Sequence, residues 1–131
     1  MGAAGFWQLM PNTAQGYGLI INDDVDERYD VEKATYAACK HFKDAYSYFK
    51  NWTLSAAAYN VGIGGIQKAL KKQNTTSYYD LLLNRETGSF IYRILAFKTL
   101  LSNPKHFGVE HRLKITSNFP VFKIVKVDST I

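Results

Sequence analysis

The sequence predicts an all-α domain followed by an extended or β-like C-terminal tail. Two observations predict the helices. Apolar residues recur at helical spacing in successive segments, and Gly, Pro and Asn/Asp residues punctuate them. A third observation, the change of pattern after residue 108, predicts the tail. At 131 residues the chain is large enough for one domain with its own core. A hydrophobic content of 47% and a charged content of 21% suit a globular protein. No apolar run reaches the length of a membrane span.

The elements follow in order. Asn12–Tyr17 reads as one helical turn closed by Gly18. Ile20–Tyr29 reads as a polar, acidic surface loop. Asp30 is placed to cap a helix over Val31–Phe49, whose apolar face is Ala34, Ala38, Phe42, Ala45 and Phe49. Asn51-Trp52 breaks the chain before an Ala-rich helix, Thr53–Asn60. Gly62, Gly64 and Gly65 predict a tight turn, then a short amphipathic helix over Ile66–Lys72. Ser77 is placed to cap a short helix, Tyr78–Leu83. The last long helix is expected at about Phe90–Leu101, burying Phe90, Ile94, Phe97 and Leu101 with Leu95 alongside, and Asn103-Pro104 ends it. Phe119–Val127 alternates in part and is β-prone, with Pro120 restricting it to an edge strand or extended arm. The expected division is 1–108 as the folded domain and 109–131 as linker or tail.

The net charge is +5, with lysines spread along the chain rather than clustered. No helix carries a basic stripe and no nucleic-acid motif is present, so nucleic acid is not an expected partner. Cys39 is the only cysteine and reads as a small buried hydrophobe. Asp26, Arg28 and Asp30 suggest an ion-pair and capping network. Asp23, Asp24 and Asp26 lack the spacing of a calcium loop, and His41, His106 and His111 lack metal-ligand spacing. No metal or cofactor is expected.

Two stretches draw attention as a site. Gly2–Pro11 reads G-A-A-G-F-W-Q-L-M-P, and Ala56–Gly65 reads A-A-A-Y-N-V-G-I-G-G. Both set large or polar side chains among small ones, where backbone can approach a ligand closely. With E-T-G-S-F-I-Y-R-I-L-A after them and D-x-R-x-D between, the pattern resembles the lytic transglycosylases of bacterial cell walls, in the goose-type lysozyme superfamily. Among these it is similar to the membrane-bound lytic murein transglycosylase D type. The resemblance covers about Gly2–Gly108 and implies a lysozyme-like fold.

It also implies an activity: cleavage of the β-1,4 bond between N-acetylmuramic acid and N-acetylglucosamine in peptidoglycan, giving a 1,6-anhydro sugar. One Glu protonates the leaving oxygen, then takes a proton from the sugar's own 6-hydroxyl. By resemblance Tyr59 orients that acid, Gln8 and the Met10 backbone hold the sugar, and Asn60 supports the cleft wall. Glu86 either borders the cleft or simply complements a helix dipole. Trp7 reads as packing.

In the family the acid is a Glu-Ser about a dozen residues before the G-x-x-G-x-W-Q motif, and no matching Glu precedes it here. The chain is therefore expected to be an excised piece without its first helix and export signal, inactive by itself. The apolar surface at Gly2–Met10 and Ala56–Tyr59 is expected to favour self-association or a mobile N-terminus. The intact protein is expected in the periplasm or at the outer membrane. A non-catalytic glycan-binding module, or a part that assembles with a partner chain, stays open as an alternative.

Overall fold

The structure, a computed structural model, describes residues 2–109 and is helical, with no β-strand among them. Its contacts divide into two units, Met1–Phe97 and Lys98–Ile131. Among the described residues five α-helices follow in order: α1 (Pro11–Gly16), α2 (Val31–Phe49), α3 (Trp52–Val61), α4 (Ile63–Gln73) and α5 (Arg85–Ser102). Short 3-10 turns occupy Glu27–Tyr29, Tyr78–Asp80 and Pro104–Phe107. The expected β-prone segment Phe119–Val127 lies outside the described residues.

Helix α2 starts at Asp30, whose carboxylate accepts the Lys33 N–H at 3.0 Å. Its fully buried positions are Ala34, Ala38 and Ala45, as the spacing predicts, with Phe42 and Phe49 half-buried. Cys39 is a correction: it is exposed, because it lies one step of about 100° beyond Ala38, off the buried stripe. Helix α3 begins one residue earlier than expected. Asn51 Oδ1 accepts the N–H groups of Thr53 and Leu54, so the break is confined to the cap and Trp52 is already helical.

Two cores result. One joins Ala45, Leu54, Ala57, Ala58, Ile66, Tyr78 and Ile91, from α2 through α5. The other joins Leu9, Ala14, Leu19, Ala34 and Ala37, with Trp7, Tyr17, Ile21 and Tyr59 packed against it. Alanines at the α2–α3 contact leave no side-chain bulk between the helices, so the two can approach closely.

Three further expectations are corrected. The α3–α4 connection is Gly62 alone, at φ +79°, while Gly64 and Gly65 are already helical. Tyr78–Leu83 is a 3-10 turn that stops at Asp80, capped as expected by Ser77. There Gln73 brackets Leu82, donating to its carbonyl at 3.0 Å and accepting its N–H at 2.7 Å. That bracket occupies backbone groups a continuing helix would use.

Helix α5 starts at Arg85, well before Phe90, because Asn84 Oδ1 accepts the Thr87 N–H at 2.8 Å. Its buried residues are Thr87 and Ile91. Phe90 is half-buried, while Ile94, Phe97 and Leu101 are exposed. The buried stripe is thus confined to the first two turns of α5.

Candidate functional site

The Gly2–Pro11 stretch forms a closed loop. Ala4 and Leu9 exchange backbone hydrogen bonds at 3.2 Å in an antiparallel bridge, and Gly5 and Gln8 close a turn between them. Gly5 has φ +74°, and a Cβ there would sit 1.8 Å from the Arg28 carbonyl oxygen, so only glycine fits. Gln8 takes a left-handed φ of +49°, uncommon without glycine. Its Nε2 donates to the Gly5 carbonyl at 2.7 Å, which fixes the amide, and Oε1 makes no hydrogen bond among the described residues. Gln8 and Met10 are both exposed.

The D-x-R-x-D element carries this loop. Arg28 is 1% exposed and all three of its guanidinium nitrogens are hydrogen-bonded. Nε and Nη2 clasp the Asp26 carboxylate, at 2.9 Å and 2.6 Å, while Nη1 donates to the carbonyls of Gly2 at 2.8 Å and Leu9 at 3.1 Å. The pair holds the Asp26 carboxyl below its ordinary pKa, and Asp26 also caps the 3-10 turn by accepting the Arg28 N–H. The expected surface loop is therefore anchored from beneath, and Glu27 tightens it by accepting the Ile20 N–H and pairing with Lys33. The capping network expected of Asp26, Arg28 and Asp30 is present. What the sequence did not reveal is that Arg28 reaches back to the first loop.

Helix α3 brings Tyr59 to the same loop. The Tyr59 hydroxyl donates to the Trp7 carbonyl at 2.7 Å, 52 residues away in sequence. Its ring stacks on Phe42 at 4.7 Å and meets Trp7 and His41 edge-on. Burial pushes the phenol pKa up to about 12, so Tyr59 stays a proton donor at neutral pH. Trp7 is packing, as expected, and its indole N–H donates to Thr35 Oγ1 at 2.7 Å.

His41 lies between the rings of Tyr17 and Tyr59, and neither ring nitrogen has a hydrogen-bond partner. Burial holds its pKa below the ordinary value, against the opposing pulls of Asp44 and the Ala58 backbone. Asp44 accepts instead from the Tyr17 hydroxyl at 2.9 Å.

Asn60, the next residue of α3, turns toward α5. Its Oδ1 accepts from Thr87 Oγ1 at 3.0 Å. Glu86 precedes Thr87 in the first turn of α5 and is exposed. Tyr59 is thus joined to the Gln8 loop through Trp7, and Asn60 to the Glu86 turn through Thr87. Thr87 was not singled out from sequence; its only signal was its place beside Glu86 in the E-T pair. A separate groove lined by Tyr48, Phe49, Leu54, Gln67, Leu70 and Lys71 contains none of these residues.

The surface expected to be apolar is only partly so. Phe6 is 76% exposed and Met10 52%, but Ala57 and Ala58 are fully buried and Ala56 and Tyr59 half-buried. No described helix is long and apolar enough to cross a membrane.

Comparison with known proteins places the chain in a family. The membrane-bound lytic murein transglycosylase D proteins of Escherichia coli K12 and of an O6:H1 strain are each 34% identical over 134 residues, covering 98% of this chain. The chain spans 29% of the length of these relatives. Residues 1–82, which hold the loop, the Arg28 anchor, Tyr59 and Asn60, match the family described as Transglycosylase SLT domain. The chain therefore belongs to the SLT transglycosylase family.

Proposed function

We propose that these residues form the glycan-holding part of a peptidoglycan lytic transglycosylase, one that cleaves the N-acetylmuramic acid–N-acetylglucosamine β-1,4 bond with a 1,6-anhydro product. The observation that carries the reading is the Tyr59–Trp7 hydrogen bond. It ties the A-A-Y-N helix to the loop bearing Gln8 and Met10, with a phenol that stays protonated. In this reading Gln8 Oε1, the Met10 backbone and Asn60 hold the sugar, Glu86 borders the cleft, and Tyr59 orients the catalytic acid. The functional domain is 1–108, with 109–131 as linker or extended tail, and the intact protein works on the wall in the periplasm or at the outer membrane.

None of the described carboxylates hydrogen-bonds Tyr59 or Gln8. Asp26 and Glu27 are held by Arg28, Ile20 and Lys33, and Glu86 stands exposed at a helix start. General acid–base chemistry supplies roughly 10²–10⁴-fold, and it needs a positioned acid. We therefore expect the 131-residue chain to bind glycan without cleaving it. The same observation favours the second reading, a glycan-binding module.

Purified chain incubated with insoluble sacculi tests both. Co-sedimentation without 1,6-anhydromuropeptides in the mass spectrum is the expected result. Robust anhydro product would refute the inactivity, with Glu86 the first residue to replace. Absence of co-sedimentation would refute the glycan site. Anhydro product from a longer chain that includes these residues would decide for the enzyme over the binding module.

A further inference from the structure

Thr87 is the least expected member of the site. It is fully buried, and each of its polar groups is fixed. Asn84 Oδ1 accepts its N–H at 2.8 Å, and the Tyr78 hydroxyl donates to its carbonyl at 2.8 Å. Its own hydroxyl donates to Asn60 Oδ1 at 3.0 Å. A side-chain amide has one acceptor end and one donor end. With the oxygen engaged, the Asn60 Nδ2 group makes no hydrogen bond among the described residues, and it is not closed off from solvent.

We infer that Thr87 is a positioning residue which locks the Asn60 amide so that its NH2 faces the ligand, selecting a carbonyl acceptor such as the acetamido oxygen of an N-acetyl sugar. This rests on the reading of the site as one for N-acetylated glycan. Without Thr87 the amide can turn over, presenting an oxygen to an oxygen. A buried hydroxyl tied to the start of α5 also makes the orientation independent of ligand, so the donor is set before binding. The lock couples the two motifs physically: the T of E-T fixes the N of A-A-Y-N.

The test uses the 131-residue chain, ¹⁵N-labelled and titrated in NMR with two neutral trisaccharides. One is tri-N-acetylchitotriose; the other is cellotriose, with hydroxyls in place of the acetamido groups. The chain should prefer the acetylated trimer. Thr87→Val should reduce that preference about tenfold, the worth of one well-made hydrogen bond. Thr87→Ser, which keeps the hydroxyl, should restore it to within about twofold. Asn60→Asp still accepts from Thr87 but has no NH2, so it should lose the preference while keeping the fold. Should Thr87→Val not fold, Thr87→Ala takes its place. Preference retained in Thr87→Val or Asn60→Asp, or lost equally in Thr87→Ser, overturns the lock. A wild-type chain that does not bind the acetylated trimer overturns the reading of the site itself.

Discussion

Replacing Arg28 with Met should release the Gly2–Met10 loop while leaving the helices standing. Met refills much of the volume with an unbranched apolar chain, so packing is largely kept. What disappears is donor capacity. The Leu9 carbonyl, in a buried bond, and the Gly2 carbonyl, in a half-buried one, each lose their guanidinium partner. The Leu9 carbonyl keeps the Ala4 N–H, so what is lost is two charge-assisted hydrogen bonds of about 1.5 kcal/mol each, about 3 kcal/mol together. The lost ion pair adds little. Asp26 keeps 21% of its side chain exposed, and water can solvate its freed carboxylate.

With a urea slope of about 1.5 kcal/mol/M, that loss lowers the unfolding midpoint by about 2 M. Amide exchange should accelerate most at Ala4 and Leu9, whose bridge the Arg28 contacts close off. A midpoint shift below about 0.5 M, or unchanged exchange in the loop with accelerated exchange in α2, would refute the anchoring role. Arg28→Lys should fall between the two, since one ammonium cannot reproduce the fork that spans Asp26 and two carbonyls.

Four further outcomes are expected. Gly5→Ala and Gly18→Ala both strain a positive φ, by about 1–2 kcal/mol, but only the Gly5 methyl meets backbone, so thermal unfolding should show the larger loss at Gly5; equal losses would refute the close approach. Tyr59→Phe should cost about 1 kcal/mol and loosen the Trp7–Gln8 turn in amide exchange, with no change there counting against the tie. The folded pKa of His41 lies below its unfolded value, so the neutral ring is favoured on folding. Its contribution is complete above about pH 6.5 and is lost as pH falls from there toward the folded pKa. The melting temperature should therefore rise over that window, and a slope unaltered in His41→Phe would exclude His41 as its source. Exposed Phe6 and Met10 should promote concentration-dependent association in sedimentation, reduced by Phe6→Ser; a strictly monomeric wild-type chain would refute this.

The sequence by itself determined the class of fold and the course of its two central helices. Alanines at helical spacing, with Asp30 and Asn51 before them, are local signals that act within a turn or two of the chain. It also marked two stretches that the structure joins, because Gly5 and the Tyr59-Asn60 pair stand out among small residues. Tertiary structure decided the rest. That Arg28 holds the first loop, that Tyr59 ties to Trp7 across 52 residues, and that Thr87 fixes Asn60 are all contacts between distant segments, with no periodic trace.

The same reason explains the misjudged elements. Asn84 starts α5 early, and Gln73 halts the helix expected after Tyr78 through a bracket nine residues away. Gly64 and Gly65 permit a turn but do not require one, and Gly62 alone already makes it. Cys39 and the far end of α5 show the limit of apolar pattern. Spacing says which residues share a face, but only the packing of neighbours decides how far along a helix that face is covered.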